Sequence, residues 1–128
     1  MRPFIALIAF LLTANHGQAM SLYDQLRAFN PYWEKHAEHV RGKAAKPIHN
    51  DVAYVRAHLT EVIGVLSSAS YGELSNEQWI SRKELIAVLA EYAHQGRFPI
   101  NYYRHERIPV FIDEHDTYCA VGYLMRHT

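Results

Sequence analysis

Cys119 is the only cysteine in this 128-residue chain. No intrachain disulfide can form, so a small fold stapled by bridges is excluded, and in an oxidising compartment the thiol is buried and inert, paired with another molecule, or reactive. Net charge is also lacking, because 13 Lys+Arg balance 13 Asp+Glu. Without a positive field there is little to hold a phosphate backbone, and nucleic acid is not suggested as a partner. No segment supplies the about 20 consecutive apolar residues that span roughly 30 Å of hydrocarbon. Internal repeats, low-complexity runs and interdomain linkers are absent as well, which leaves one domain, long enough to bury a core without covalent help.

What is present at the N-terminus reads as an export signal over residues 1–19. Arg2 provides the positive start, residues 4–12 an uncharged apolar run, and Gly17-Gln18-Ala19 the small residues that a signal peptidase inspects. An uncleaved anchor is the competing reading, disfavoured by the shortness of the run. Cleavage before Met20 removes Arg2 and His16, leaving 12 basic residues, 13 acidic residues and 8 histidines in a single domain over 20–128. The expected location is periplasmic or secreted, with no membrane span after the signal is removed.

Apolar spacing predicts a mainly α fold of three to four packed helices, closed by a small C-terminal β-hairpin and a short last helix. Ser21 caps a first helix carrying Leu22, Leu26 and Phe29, which Pro31 ends. Residues 31–40 continue helically at a new angle, with Asn30 as cap and Trp33, Ala37 and Val40 on one face. After a basic loop with Gly42, Asn50 or Asp51 opens a helix with Val52, Val55, Leu59, Val62, Ile63 and Leu66 on one stripe, and Gly64 inside it weakens the helix or lets a neighbour approach. Ser75-Asn76-Glu77-Gln78 has capping-box spacing. The helix it announces places Trp79, Leu85, Ile86, Leu89 and Tyr92 inward and Arg82, Lys83, Glu84 and Glu91 in water, with Gly96 as left-handed cap, Phe98 folding back and Pro99 ending it. Residues 108–112 read as a strand restricted by Pro109 to an edge or a strand start, 113–116 as a turn, and Thr117-Tyr118 as its antiparallel return before 119–125 turns helical.

Tyr92-Ala93, Gly96-Arg97-Phe98-Pro99, Arg107-Ile108-Pro109-Val110-Phe111-Ile112-Asp113, Thr117 and Cys119-Ala120-Val121-Gly122-Tyr123-Leu124-Met125 together form a block. It resembles a group of small secreted bacterial proteins of unassigned function, over about residues 75–125. In that group a glycine precedes the threonine of the turn. Here Asp116 stands in its place, so the turn either accepts a left-handed aspartate or takes another type. The resemblance implies export and the unity of the block, and no reaction.

Cys119 is the sharpest candidate for chemistry. If Thr117 capped the final helix, the sulfur would lie in its first turn, where free N–H groups favour a thiolate. A histidine within hydrogen-bond reach would complete a nucleophile, the candidates being His58, His105 and His115, with Asp113 or Glu61 as orienting carboxylate. The competing reading is a packed structural thiol among Ala120, Val121 and Leu124. His36 with His39, and His58 with Glu61, sit at i, i+3, but no run such as His-Glu-x-x-His is present and no metal site is assigned. Arg107 and Arg97 suggest an anion-binding edge or a structural pair with Asp113. The first functional reading is an exported binding or structural module of the bacterial envelope, without a cofactor, whose partner is an unknown envelope component or a small peptide. The alternative is a cysteine-dependent hydrolase or acyltransferase with Cys119 as nucleophile and His58 or His105 as base.

Overall fold

The computed structural model describes residues 20–103 and 108–128, so the proposed signal at 1–19 lies outside it. The described chain is mainly helical: α1 (Leu22–Phe29), a 3-10 helix (Pro31–His36), α2 (Ala37–Val40), α3 (Asp51–Ser68), α4 (Asn76–Gln95) and α5 (Ala120–Met125). The first elements follow from their caps. The Ser21 hydroxyl accepts from the Asp24 N–H at 3.1 Å, and Asn30 Oδ1 accepts from the Tyr32 N–H at 3.0 Å, so one residue ends α1 and opens the 3-10 turn. Asn50 repeats the device for α3, accepting from the Ala53 N–H at 2.8 Å.

The long central helix α3 has a core on each side. On one, Leu22, Leu26, Trp33 and Val40 are buried together. On the other, Leu59, Leu89, Tyr92 and Ala93 form a second cluster with Phe98, Tyr123 and Leu124 against it. Val62 touches both. The first core includes a buried polar side chain, Gln25. Its amide nitrogen donates to the carbonyls of Met20 (3.0 Å) and Lys46 (3.4 Å), and its oxygen accepts from the Ile48 N–H at 2.7 Å, which pins the 41–50 loop over α1. Gly64 serves close approach: a Cβ there would come within 2.8 Å of the His39 ring.

Helix α4 carries the predicted punctuation. Ser75 and Gln78 form a reciprocal capping box, and Gly96 ends the helix at φ 67°. Phe98 folds back edge-on to Tyr92, with ring centroids 5.2 Å apart. The Arg56 guanidinium lies over Gly96, and its Nε donates to the Ala93 carbonyl at 3.1 Å, so α3 supplies a cation to the negative end of α4.

Three expectations are corrected. The C-terminal hairpin is not formed, since the described residues hold only one isolated antiparallel bridge, Ile112 to Tyr118. Pro109 has no N–H to donate, and the return consists of Thr117 and Tyr118 before the chain turns helical. Pairing is thus restricted to Asp113 N–H to Thr117 O (3.1 Å) and Cys119 N–H to Phe111 O (2.8 Å). Thr117 does not cap α5; the cap position is Cys119, and no side chain bonds there. Trp79 does not face inward but remains 40% exposed, because the buried residues of α4 (Leu89, Tyr92 and Ala93) all lie in its C-terminal half. Asp116 takes the left-handed conformation, φ 56°, within the 113–116 turn.

Candidate functional site

The ribbon around Cys119 is held by its backbone. Beyond the Cys119 N–H bond to Phe111, its carbonyl accepts from the Tyr123 N–H at 2.8 Å, and the Tyr92 hydroxyl donates to the neighbouring Tyr118 carbonyl at 2.8 Å. Burial, and then the nearby Cys119 and Tyr123 groups, raise the Tyr92 pKa far above the ordinary tyrosine value, so this hydroxyl stays a neutral donor. Gly122 makes the packing possible: a Cβ there would meet the Tyr118 ring at 2.8 Å and the Phe111 ring at 3.0 Å. Cys119 itself is half-buried.

The candidate partners of the thiol that lie within the described residues are engaged elsewhere. His58 faces the α1 side of α3, edge-on to Trp33 and tilted against Phe29. Its Nδ1 accepts from the Trp33 indole N–H at 3.0 Å, which assigns the other ring proton to Nε2 and leaves the neutral ring no free lone pair for a base. Desolvation lowers its pKa, in keeping with that neutral form. Glu61 pairs with Lys43 at 2.5 Å and with His39 at 3.2 Å. His115 is exposed beside Tyr102. His105 and Arg107 lie outside the described residues, and Arg97 is exposed at the end of α4.

Asp113 organises the turn. One carboxylate oxygen accepts from the N–H groups of His115 and Thr117, both at 2.9 Å, and the other from the Ile100 N–H at 3.1 Å. Desolvation opposes its ionisation, but these backbone donors and the Thr117 hydroxyl outweigh it and hold its pKa below the ordinary carboxylate value. Its oxygens therefore tie the 98–101 segment to the turn rather than orient a histidine. The structure does not bring Cys119, His58 and Asp113 together.

A different site lies at the other end of α4. Where its N-terminal half runs past α5, a groove of about 400 Å³ opens between the end of α3, the 69–75 connection, α4 and Leu124. Leu66, Leu74, Leu85, Ile86 and Leu89 make most of its wall, and Arg82 is the only charged lining residue. The Arg82 guanidinium donates to the Leu66 carbonyl, one of the acceptors that the last turn of α3 leaves without a helical partner. It also lies over the Tyr71 ring, 4.4 Å from the centroid. Its Nε is shielded from solvent and has no hydrogen-bond partner among the described residues.

Arg82, expected in water, thus faces an apolar cleft. The sequence carries the signal, for 82, 85, 86 and 89 follow i, i+3, i+4, i+7 and place the arginine on the apolar stripe. No group of three or more His, Cys, Asp or Glu side chains suited to a metal ion occurs among the described residues. No helix among them is long and apolar enough to cross a membrane. No family model matches the chain, and no curated protein or solved structure is significantly similar to it.

Proposed function

We propose that this chain is an exported binding module of the bacterial envelope, active after removal of residues 1–19, and that its site is the groove between α3, α4 and α5. The observation that carries this reading is the lining. Five aliphatic side chains and Leu124 surround a cleft of about 400 Å³ whose polar lining is limited to Tyr71, Gln78 and Arg82, within the size range of small-molecule sites. The export part rests on the basic and apolar pattern of residues 1–19 and on the resemblance of the C-terminal block to small secreted bacterial proteins. The cysteine hydrolase or acyltransferase reading loses His58 as base, because its lone pair is committed to Trp33.

Nile red, an uncharged apolar dye, tests the binding reading. The chain of residues 20–128 should raise its fluorescence saturably, and Leu124→Trp, which fills the cleft with an indole, should abolish that rise while far-UV circular dichroism is unchanged. A dye that binds equally well to both proteins refutes the reading. Iodoacetamide labelling tests the thiol: modification only after denaturation excludes a nucleophile.

A further inference from the structure

We infer that the groove selects an organic anion with a linear apolar tail, a medium-chain fatty carboxylate, and that Arg82 is its counter-charge; this rests on the groove being the binding site. Three observations lead there. The first is the wall, whose aliphatic side chains come from α3, α4 and α5 and offer an alkyl chain contact on several sides. Alkyl chains gain from leaving water in proportion to the apolar area covered.

The second is charge. Several other cations of the helices are engaged: Arg27 pairs with Glu34 at 3.3 Å, Lys43 with Glu61 at 2.5 Å, Arg56 bonds the last carbonyls of α4, and Lys35 lies over the Tyr32 ring. Arg82 has no ion pair among the described residues. Its helical neighbours at three and four residues are Gln78, Trp79, Leu85 and Ile86, none of them acidic. A guanidinium beside an apolar cleft, without an anion, attracts one.

The third is the pattern of donors. A guanidinium has five N–H groups in a fixed plane and accepts nothing. One goes to the Leu66 carbonyl, the Tyr71 ring lies near without accepting a hydrogen bond in the plane, and the shielded Nε–H has no acceptor among the described residues. A carboxylate meets an arginine edge with two parallel bonds and so supplies acceptors that an alcohol or a cation cannot match. Tyr71 is about half exposed, on the 69–75 connection rather than in a helix, so its ring can swing aside as the head group enters. A purely structural arginine, capping α3 through Leu66, would confer no head-group preference.

Titration calorimetry of residues 20–128 with decanoate, decanol and decyltrimethylammonium, each below its aggregation limit, separates these cases. Decanoate should bind about tenfold more tightly than decanol, and the ammonium more weakly than either. Arg82→Gln should bring decanoate and decanol within about twofold, and Arg82→Lys, which keeps charge but loses the fork, should fall between. The wild-type comparison stands even if a variant fails to fold. Equal affinity for decanoate and decanol, with Nile red still bound, overturns the anion inference and leaves the groove reading intact. Binding of neither the decyl ligands nor Nile red overturns both.

Discussion

The two cores on either side of α3 finish their polar business differently. The core on the α1 side is closed: Gln25 is 2% exposed and makes three hydrogen bonds, and the half-buried His58 imidazole accepts from the buried Trp33 indole. The α4 side is closed only over the C-terminal half of α4, where Leu89, Tyr92 and Ala93 are covered by α3 and α5. Over the N-terminal half the same stripe continues, but α5 is six residues long and stops at Met125, leaving Leu85 and Ile86 half-buried. A pattern of apolar residues decides which face a helix presents; the length of its neighbour decides how much of that face is used.

The strongest way to break the comparison is a pair of truncations. Leu26→Ala, at a fully buried site, should cost about 3 kcal/mol in urea unfolding. Ile86→Ala, on the groove wall, should cost about 1 kcal/mol or less, because solvent already reaches the side chain. Equal losses would show that the groove side is packed as tightly as the other. Gln25→Leu comes next, with a loss of about 2 kcal/mol, since it leaves the Ile48 N–H and two carbonyls without their partner. No arginine substitution on the groove side should match it. Gly96→Ala should lower stability by about 1–2 kcal/mol, the penalty of a left-handed alanine, provided the Arg56 guanidinium shifts to admit the methyl.

The smallest effect is on pH dependence. The folded-state pKa of His58 lies below its ordinary 6.5, so the unfolded chain takes up the proton first. The stability this group contributes is fully present above about pH 6.5 and declines as pH falls through the lowered folded value. Comparing urea midpoints of the wild type and His58→Phe at pH 7.5 and 5.5 should show the smaller drop in the variant. An equal drop would place the acid sensitivity in other histidines. Acidification below the ordinary carboxylate range should also loosen the C-terminal turn, where the Asp113 pKa is held down by backbone donors. Faster amide exchange at Ile100, His115 and Thr117 would report it.

Much of the scaffold was legible in local chemistry. The Asn30, Asn50, Ser75 and Gly96 caps need only a few residues to specify them, and the structure has each in its expected place. The hairpin was misread because the apolar run 108–112 suggested a strand, whereas pairing depends on donors that Pro109 lacks and on a return too short to form a ladder. The Trp33–His58 bond joins residues 25 apart in sequence, and spacing does not reveal which side of α3 the imidazole faces. Pairing Cys119 with His58 failed for that reason. Arg82 was readable by its position on the stripe, but its charge was taken as a guarantee of water, although long cationic side chains readily lay their stems along apolar surface.

The two tryptophans occupy opposite settings, Trp33 being 3% and Trp79 40% exposed. Their emission should therefore separate into a blue component from the enclosed indole and a red one from the wet indole. Trp33→Phe and Trp79→Phe would each leave a single built-in optical reporter, one inside the closed core and one three residues before Arg82, so loosening of either region can be followed without attaching a label.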